Sequence, residues 1–207
     1  MRFNEQGRSM IEMLGVLAIV GVLSVGGIAG YSKAMGKYKT NQLLAQMSEI
    51  IVGIRTIYNP QKSYAGINIG ALLNTGVIPA SMRGGAEGNT AHHALGGMVT
   101  IYESTTATQA DGSFEIYFGG LTESACKELA AIDWSQDTSS GFMSMYVGAG
   151  DITDKQMEDV LTLADGQPDQ GIYTAGSHNN GIPLSVAEVA DACRCPDNAC
   201  VIGLKYK

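Results

Sequence analysis

The sequence predicts an α+β fold, in which one long N-terminal helix packs on an antiparallel sheet with short helices and a C-terminal region closed by disulfides. Three observations predict it: an uncharged run over residues 13–32, an apolar stripe at helical spacing over residues 43–58, and alternating apolar segments after residue 97. The length of 207 residues leaves room for one ordinary domain and an appendage.

Charge is distributed unevenly along the chain. Residues 1–57 carry six basic and three acidic side chains, whereas residues 58–207 carry seven basic and seventeen acidic ones. An acidic body argues against a nucleic-acid surface, because phosphate contacts require clustered Lys and Arg. We therefore expect no nucleic acid among the partners of the body.

The uncharged run predicts a helix that spans a membrane. Its 20 residues, at about 1.5 Å each, reach about 30 Å, the thickness of the hydrocarbon layer of a bilayer. A cleaved secretory signal is the alternative, but its apolar region usually has about 7–15 residues. Length and flanking residues favour a retained helix.

The helix continues beyond the bilayer as an amphipathic segment that ends at Asn59-Pro60, because the residue before a proline disfavours helical geometry. Its apolar stripe consists of Leu43, Met47, Ile50, Ile51, Ile54, Ile57 and Tyr58, and the side chains predicted off the stripe are Lys37, Lys39, Gln42, Gln46 and Glu49. The stripe requires a partner surface, which the following body supplies. A free coiled-coil stalk is the alternative, but about two heptads are too few to favour it.

The body combines strands with short helices. The strand candidates, rich in β-branched and aromatic residues, are residues 98–103, 113–118, 142–147 and 200–206. Helices are predicted from Glu123 to about Ile132 and after two capping-box patterns, Thr153–Gln156 and Ser185–Glu188. Residues 60–97 and 165–183 are predicted to be loops with one short helix.

Four cysteines, Cys126, Cys193, Cys195 and Cys200, allow three disulfide pairings. An exported body would place them in an oxidising compartment, where disulfides persist. A zinc site built from the last three cysteines with Cys126 or His178 is the alternative. The spacing lacks the paired C-x-x-C knuckles of zinc sites, so disulfides are favoured and no metal is expected.

Residues 6–14, Gln-Gly-Arg-Ser-Met-Ile-Glu-Met-Leu, resemble the leader junction of type IV prepilins. The resemblance implies a leader peptide over residues 1–7, cleaved by prepilin peptidase after Gly7, with Arg8 as the new N-terminus and site of N-methylation. It also implies an assembly helix over residues 8–58 and an αβ head over residues 59–207. Arg8 departs from the family, which usually has Phe or Met at that position.

A second segment, Phe114–Leu129, resembles the strand-to-helix region of type IVb pilins. In that group the helix cysteine is bridged to one near the C-terminus. The resemblance implies a bond between Cys126 and Cys193, which leaves Cys195 with Cys200.

Glu12 is a carboxylate at the head of an apolar helix, and such a charge is costly in a bilayer. In a filament, the Glu12 of one subunit could pair with the Arg8 ammonium of a neighbour and fix the axial register. The alternative is that Glu12 lies among lipid headgroups as an ordinary flanking charge.

Motifs for catalysis are scarce. His92 and His93 are predicted to lie in a solvated loop, and no nucleophile–base arrangement is recognisable. We therefore expect neither enzymatic activity nor a cofactor.

The function predicted is a pilin that polymerises with copies of itself through its N-terminal helix, with the pilus assembly machinery and the inner membrane as further partners. It would first be a single-pass inner-membrane protein with its head outside the cytoplasm, and then part of an extracellular filament. A minor pilin or secretion pseudopilin is the nearest alternative. A monomeric membrane-anchored binding protein is an alternative of another class.

Overall fold

The structure is a computed structural model that describes residues 6–86, 88–106, 109–136, 140–150, 152, 171–175, 181–196 and 199–207, without the side chains of residues 6–9 and 175. The chain divides into two compact units, Met1–Lys39 and Thr40–Lys207. The boundary falls inside the first helix, so the second unit, called the body below, includes the amphipathic half of that helix.

The predicted long helix is confirmed as α1, Gln6–Tyr58. Leu43, Met47, Ile50 and Ile54 are fully buried in the core of the body. The predicted stripe is wrong at its end, because Ile57 is 37% exposed.

Gln46 was predicted to lie off the buried stripe, and this is also wrong. It is only 9% exposed, and its Oε1 accepts a hydrogen bond of 3.0 Å from the backbone N–H of Ala94. A buried amide is tolerated where a backbone donor meets it. The helix is thereby tied to the segment before the third strand.

One eight-stranded sheet forms the centre of the described part of the body. Its strands are β1 (Arg83–Gly84), β2 (Thr90–His92), β3 (Met98–Thr106), β4 (Gln109–Leu121), β5 (Phe142–Ala149), β6 (Ile172–Ala175), β7 (Gly181–Ile182) and β8 (Cys200–Tyr206). Their spatial order is β1-β2-β3-β4-β8-β5-β6-β7. Neighbours are antiparallel except β6 and β7, which are parallel. The four predicted strands are β3, β4, β5 and β8, so the α+β class is confirmed.

Among the described residues, three short helices flank the sheet: α2 (Ile69–Asn74), α3 (Glu123–Ala130) and α4 (Val186–Ala192), together with a 3₁₀ turn at Ala80–Met82. The region 60–97, predicted to be loops with one short helix, contains α2 and also β1 and β2. Those two strands have two and three residues, too few to show an alternating pattern. The predicted helix at Thr153–Gln156 lies outside the described residues.

Both faces of the sheet are covered in its centre. Ile116, Phe118, Ile202 and Leu204 join the α1 stripe and the cores of α3 and α4 in the main cluster. On the opposite face, a second cluster consists of Tyr117, Tyr146, Ile152, Ile172 and Val201. Every residue of β8 is therefore buried.

Candidate assembly helix and disulfide-closed region

The first half of α1 exposes an almost continuous apolar surface. Each of its large apolar side chains is at least 52% exposed: Met10, Ile11, Met13, Leu14, Val16, Leu17, Ile19, Val20, Val22, Leu23, Val25, Ile28 and Tyr31. By length and composition α1 is the one helix, among the described residues, that could span a membrane. A surface of this extent requires lipid or other apolar helices around it.

The predicted processing residues lie at the start of this helix. Gly7 and Arg8 fall in the first turn of α1, and Glu12 follows as an exposed residue one turn beyond Arg8. The two residues are four positions apart, which on a helix is about 6 Å along the axis. The structure thus places all three within two turns.

Two capped helices position two of the four cysteines, Cys126 and Cys193. Thr122 accepts a hydrogen bond from the N–H of Ala125 and starts α3, and Ser185 with Glu188 forms a complete capping box at the start of α4. Cys126 lies on the buried side of α3, and Cys193 caps the end of α4. The sequence predicted both helix starts correctly from these polar residues.

The structure contains two disulfides. Cys126 is bonded to Cys193 over a separation of 67 residues, and Cys195 to Cys200 over a separation of 5. The first joins α3 to α4, and the second closes the loop that leads into β8. Together they tie α4 and this loop to the sheet.

A zinc site, the alternative to the disulfides, would require cysteine thiolates that are not bonded to other cysteines. The Sγ atoms of Cys126, Cys195 and Cys200 lie within 4.8 Å of one another, close enough for one ion. Each of these sulfurs is bonded to another cysteine, so a thiolate is not available to a metal. His178, the alternative fourth ligand, lies outside the described residues.

A buried ion pair in the centre of the sheet was not predicted. The Nζ of Lys205 on β8 lies 3.2 Å from Oε1 of Glu115 on β4, and these residues are directly opposite each other in the ladder. The Ser104 and Tyr117 hydroxyls donate to the same carboxylate at 2.5 and 2.8 Å. Burial raises the pKa of Glu115, and the hydrogen bond from Ser104 and the charge of Lys205 act against that rise.

A sequence signal for this pair existed. Glu115 and Lys205 are single charges inside otherwise apolar strand segments, Phe114–Phe118 and Val201–Tyr206. Each sits on the face that alternation assigns to solvent, so the pattern of the strand alone gives no reason to expect its burial. Only the second cluster, which includes Ile152 from a distant segment, buries that face.

The prediction of a solvated loop for the histidine pair is wrong. His92 ends β2 and is half-buried, and His93 is 3% exposed. The Nε2 of His93 donates to the carbonyl of Gly119 at 2.8 Å, and its Nδ1 accepts from the N–H of Leu95 at 3.2 Å. Burial lowers the pKa of His93. This histidine connects the loop before β3 to β4 and is part of the core.

Comparisons with known proteins agree on one family. A family model described as "PilS N terminal" matches residues 37–202. The chain is 24% identical, over 72% of its length and 75% of the relative's, to the major structural subunit of bundle-forming pilus of Escherichia coli O127:H6 (strain E2348/69 / EPEC). It is 25% identical to the subunit with the same description from Escherichia coli O111:H-, over 62% of this chain and 65% of the relative.

The fold has a solved counterpart. The crystal structure of TcpA, a type IV pilin from Vibrio cholerae El Tor biotype, superimposes with a TM-score of 0.53 and 17% sequence identity. The match covers 82% of this chain and 99% of that one. At this identity the likeness shows a shared fold.

Proposed function

Because the chain belongs to the PilS N-terminal family of pilins, we propose that it is the structural subunit of a type IVb pilus, with a structural and not a catalytic role. The observation that carries the proposal is the exposed apolar surface of α1 from Met10 to Tyr31. A single chain leaves this surface uncovered, and packing copies of α1 side by side would bury it.

We infer two environments for this surface. Before assembly, the apolar half of α1 would anchor the chain in the inner membrane with the body outside the cytoplasm. During assembly it would exchange lipid for the helices of neighbouring subunits. Five glycines in this half, at positions 15, 21, 26, 27 and 30, present no side chain to a neighbour and would permit close helix contact. The partners implied are copies of this chain, prepilin peptidase and the pilus assembly machinery.

Processing would occur between Gly7 and Arg8. Cleavage there creates an ammonium on Arg8, the site where N-methylation is proposed, four positions before Glu12. In the filament, the Glu12 carboxylate of one subunit would meet this ammonium on a neighbour. An ion pair away from water fixes register more reliably than it adds stability, so its expected role is to set the axial step between subunits.

The proposal is tested by filament imaging and mass spectrometry on cells that produce the full chain. The wild type should yield a mature chain that begins at Arg8 in sheared surface filaments. Gly7→Val should leave a full-length precursor in the membrane, because it replaces the glycine that ends the leader in type IV prepilins, which this segment resembles. Gly15→Val, a similar change in the apolar run, is the control and should still be processed.

A second pair of variants tests Glu12. Glu12→Val should give a processed chain with a folded, disulfide-bonded body that fails to enter filaments. The control is Glu49→Val, which removes an exposed carboxylate from the same helix within the body and should still assemble. A wild-type chain that keeps its leader and never leaves the membrane would refute the pilin function and favour a membrane-anchored binding protein. Filaments of normal length from Glu12→Val would refute the register role.

A further inference from the structure

The two disulfides of the body lie against each other. The Sγ atoms of Cys195 and Cys200, which form one bond, both lie within 4.8 Å of the Sγ atom of Cys126, which belongs to the other bond. Cys200 is also close to the fourth cysteine, because its Sγ atom lies 3.7 Å from the carbonyl oxygen of Cys193. Sulfur atoms of two different bonds therefore meet where α3, the end of α4 and the start of β8 come together.

The four cysteines differ in their exposure to solvent. Cys126, Cys193 and Cys200 are 0% exposed, whereas Cys195 is half-buried. A thiol in solution can attack a disulfide only at a sulfur atom that it can reach. The structure therefore offers Cys195 as the sulfur that an external thiol attacks, and Cys200 as the sulfur that leaves.

Thiol–disulfide exchange begins when a thiolate attacks one sulfur of a disulfide and releases the other sulfur as a thiolate. Attack of an external thiolate on Cys195 would form a mixed disulfide at Cys195 and release the thiolate of Cys200. This thiolate lies beside Cys126. Its attack on Cys126 would form a Cys126–Cys200 bond, break the bond to Cys193 and release the thiolate of Cys193. Each step replaces one S–S bond by another, so neither step needs an oxidant or a reductant beyond the attacking thiol.

We propose that Cys195 is a modification site for dithiols, and that the Cys195–Cys200 bond is the route by which a dithiol reaches the buried Cys126–Cys193 bond. The reagent class is a dithiol because its second thiolate can complete the reaction. That thiolate attacks the reagent's own sulfur in the mixed disulfide, which releases Cys195 as a thiolate and leaves the reagent as a disulfide. Two electrons pass from the reagent to the chain, which keeps one of its two bonds.

The exchange changes which elements are covalently joined. The Cys126–Cys193 bond joins α3 to the end of α4, whereas a Cys126–Cys200 bond joins α3 to the first residue of β8. Ladders with β4 and β5 already hold β8 on both sides, so α4 is the element that loses its covalent tie. The site is independent of assembly through α1, and its test requires no filaments.

The Cys195→Ser variant isolates the second step, because it leaves Cys200 as a permanent thiol. The full chain is kept in a nonionic detergent at about pH 8 for hours, the time that uncatalysed disulfide rearrangement requires. It is then quenched with acid, denatured, treated with N-ethylmaleimide and digested with trypsin, whose cleavage after Arg194 separates Cys193 from Cys200. We expect the maleimide on both of these cysteines, with a Cys126–Cys200 bond in the fraction labelled at Cys193.

The double variant Cys195→Ser with Cys200→Ser is the matched control. It keeps the Cys126–Cys193 bond and has no free thiol, so Cys193 should carry no maleimide. In the single variant, the labelled fraction should not change when the chain is diluted, because the exchange occurs within one molecule.

The first step is tested on the wild-type chain with two reagents. Glutathione, a monothiol, should form a mixed disulfide at Cys195, which is located by mass spectrometry of the fragmented peptide. Dithiothreitol, a dithiol, should break the Cys126–Cys193 bond about tenfold or more faster in the wild type than in the double variant, where only opening of the fold exposes that bond. The double variant lacks a stabilising bond, so reduction through unfolding alone would give the opposite order.

Four results would overturn the proposal. They are maleimide on Cys200 alone in the single variant, maleimide on Cys126 in that variant, glutathione on a cysteine other than Cys195, and reduction of the double variant by dithiothreitol as fast as the wild type or faster. Maleimide on Cys126 would mean that Cys200 attacks Cys193 instead. Urea unfolding followed by Trp134 fluorescence measures the stability of each variant. None of these results bears on cleavage after Gly7 or on filament formation, which test the pilin function separately.

Discussion

Replacing Lys205 by methionine should destabilise the body by about 3–5 kcal/mol at neutral pH, because it leaves a buried carboxylate without its cation. The residues Lys205 and Glu115 are only 5% and 0% exposed, so water cannot replace the lost ammonium. Ser104 and Tyr117 still donate to the carboxylate, which keeps the cost within this range and below that of an isolated buried charge.

The loss of unfolding free energy caused by Lys205→Met should increase as the pH rises. Burial holds the pKa of Glu115 above its ordinary value in the folded protein, and the charge of Lys205 opposes that rise, so Lys205→Met should raise this pKa further. A folded pKa above the unfolded one means that the folded state binds the proton more tightly. The destabilisation is therefore absent below the unfolded pKa of about 4.3 and develops as the pH rises through the folded pKa.

The assay is urea unfolding of the full chain in a nonionic detergent, followed by fluorescence of Trp134, the single tryptophan. The indole Nε1–H of Trp134 donates to the carbonyl of Leu129 at 3.2 Å, so its emission reports on the body. Glu115→Gln with Lys205→Met removes both charges and should recover most of the lost free energy of unfolding. Lys127→Met, in an exposed pair, is the matched control and should cost less than about 1 kcal/mol.

Two results would refute the reasoning. If Lys205→Met cost no more than Lys127→Met, the pair would not be buried as described. If the loss were the same at pH 5 and pH 8, an unpaired carboxylate would not be its cause.

Four further changes test other parts of the body by the same unfolding assay. In the chain-entropy model, Cys126→Ser should cost roughly 4 kcal/mol and Cys195→Ser roughly 2 kcal/mol, since the bonds close loops of 67 and 5 residues. Because burial lowers the pKa of His93, the folded state resists its protonation. Stability should therefore fall as the pH drops below about 6.5, and His93→Gln should lose less stability over that interval than the wild type. Gly97→Ala should cost about 1–3 kcal/mol, since its Cβ would overlap the carbonyl oxygen of Gly119.

Each of these changes has its own check. Equal losses for the two cysteine variants would argue against a loop-length effect. A pH profile of His93→Gln that coincides with the wild type would mean that another group titrates. Gly36→Ala, where an added carbon meets nothing within 4 Å, should be neutral or slightly stabilising, and a loss equal to that of Gly97→Ala would point to a general sensitivity to alanine.

The sequence correctly predicted the helices and strands whose apolar residues recur at a constant spacing along the whole element. The stripe from Leu43 to Ile54 and the four long strands have such patterns, and Ser185 with Glu188 marked the start of α4. Gln46 and His93 were misjudged, and the burial of Glu115 was not predicted, for a common reason. Each is a polar residue whose burial depends on a partner far along the chain, respectively Ala94, Lys205 and Gly119.

The processing residues Gly7, Arg8 and Glu12 lie within one short segment of the sequence. Their roles rest on the resemblance of that segment to prepilin leaders, and the N-terminal mass of the mature chain is the measurement that tests them.

The place of β8 in the sheet would also determine when an exported body could finish folding. It is the last strand in chain order, yet it forms ladders with β4 on one side and β5 on the other. If α1 stays in the membrane and the body crosses it in chain order, β4 and β5 would be outside before the strand that joins them arrives. The two halves of the sheet cannot close until this crossing is nearly complete. Strand pairing between distant parts of the chain is slow to form. The body would therefore remain incompletely folded while it crosses the membrane and would fold fully only after its last strand has crossed.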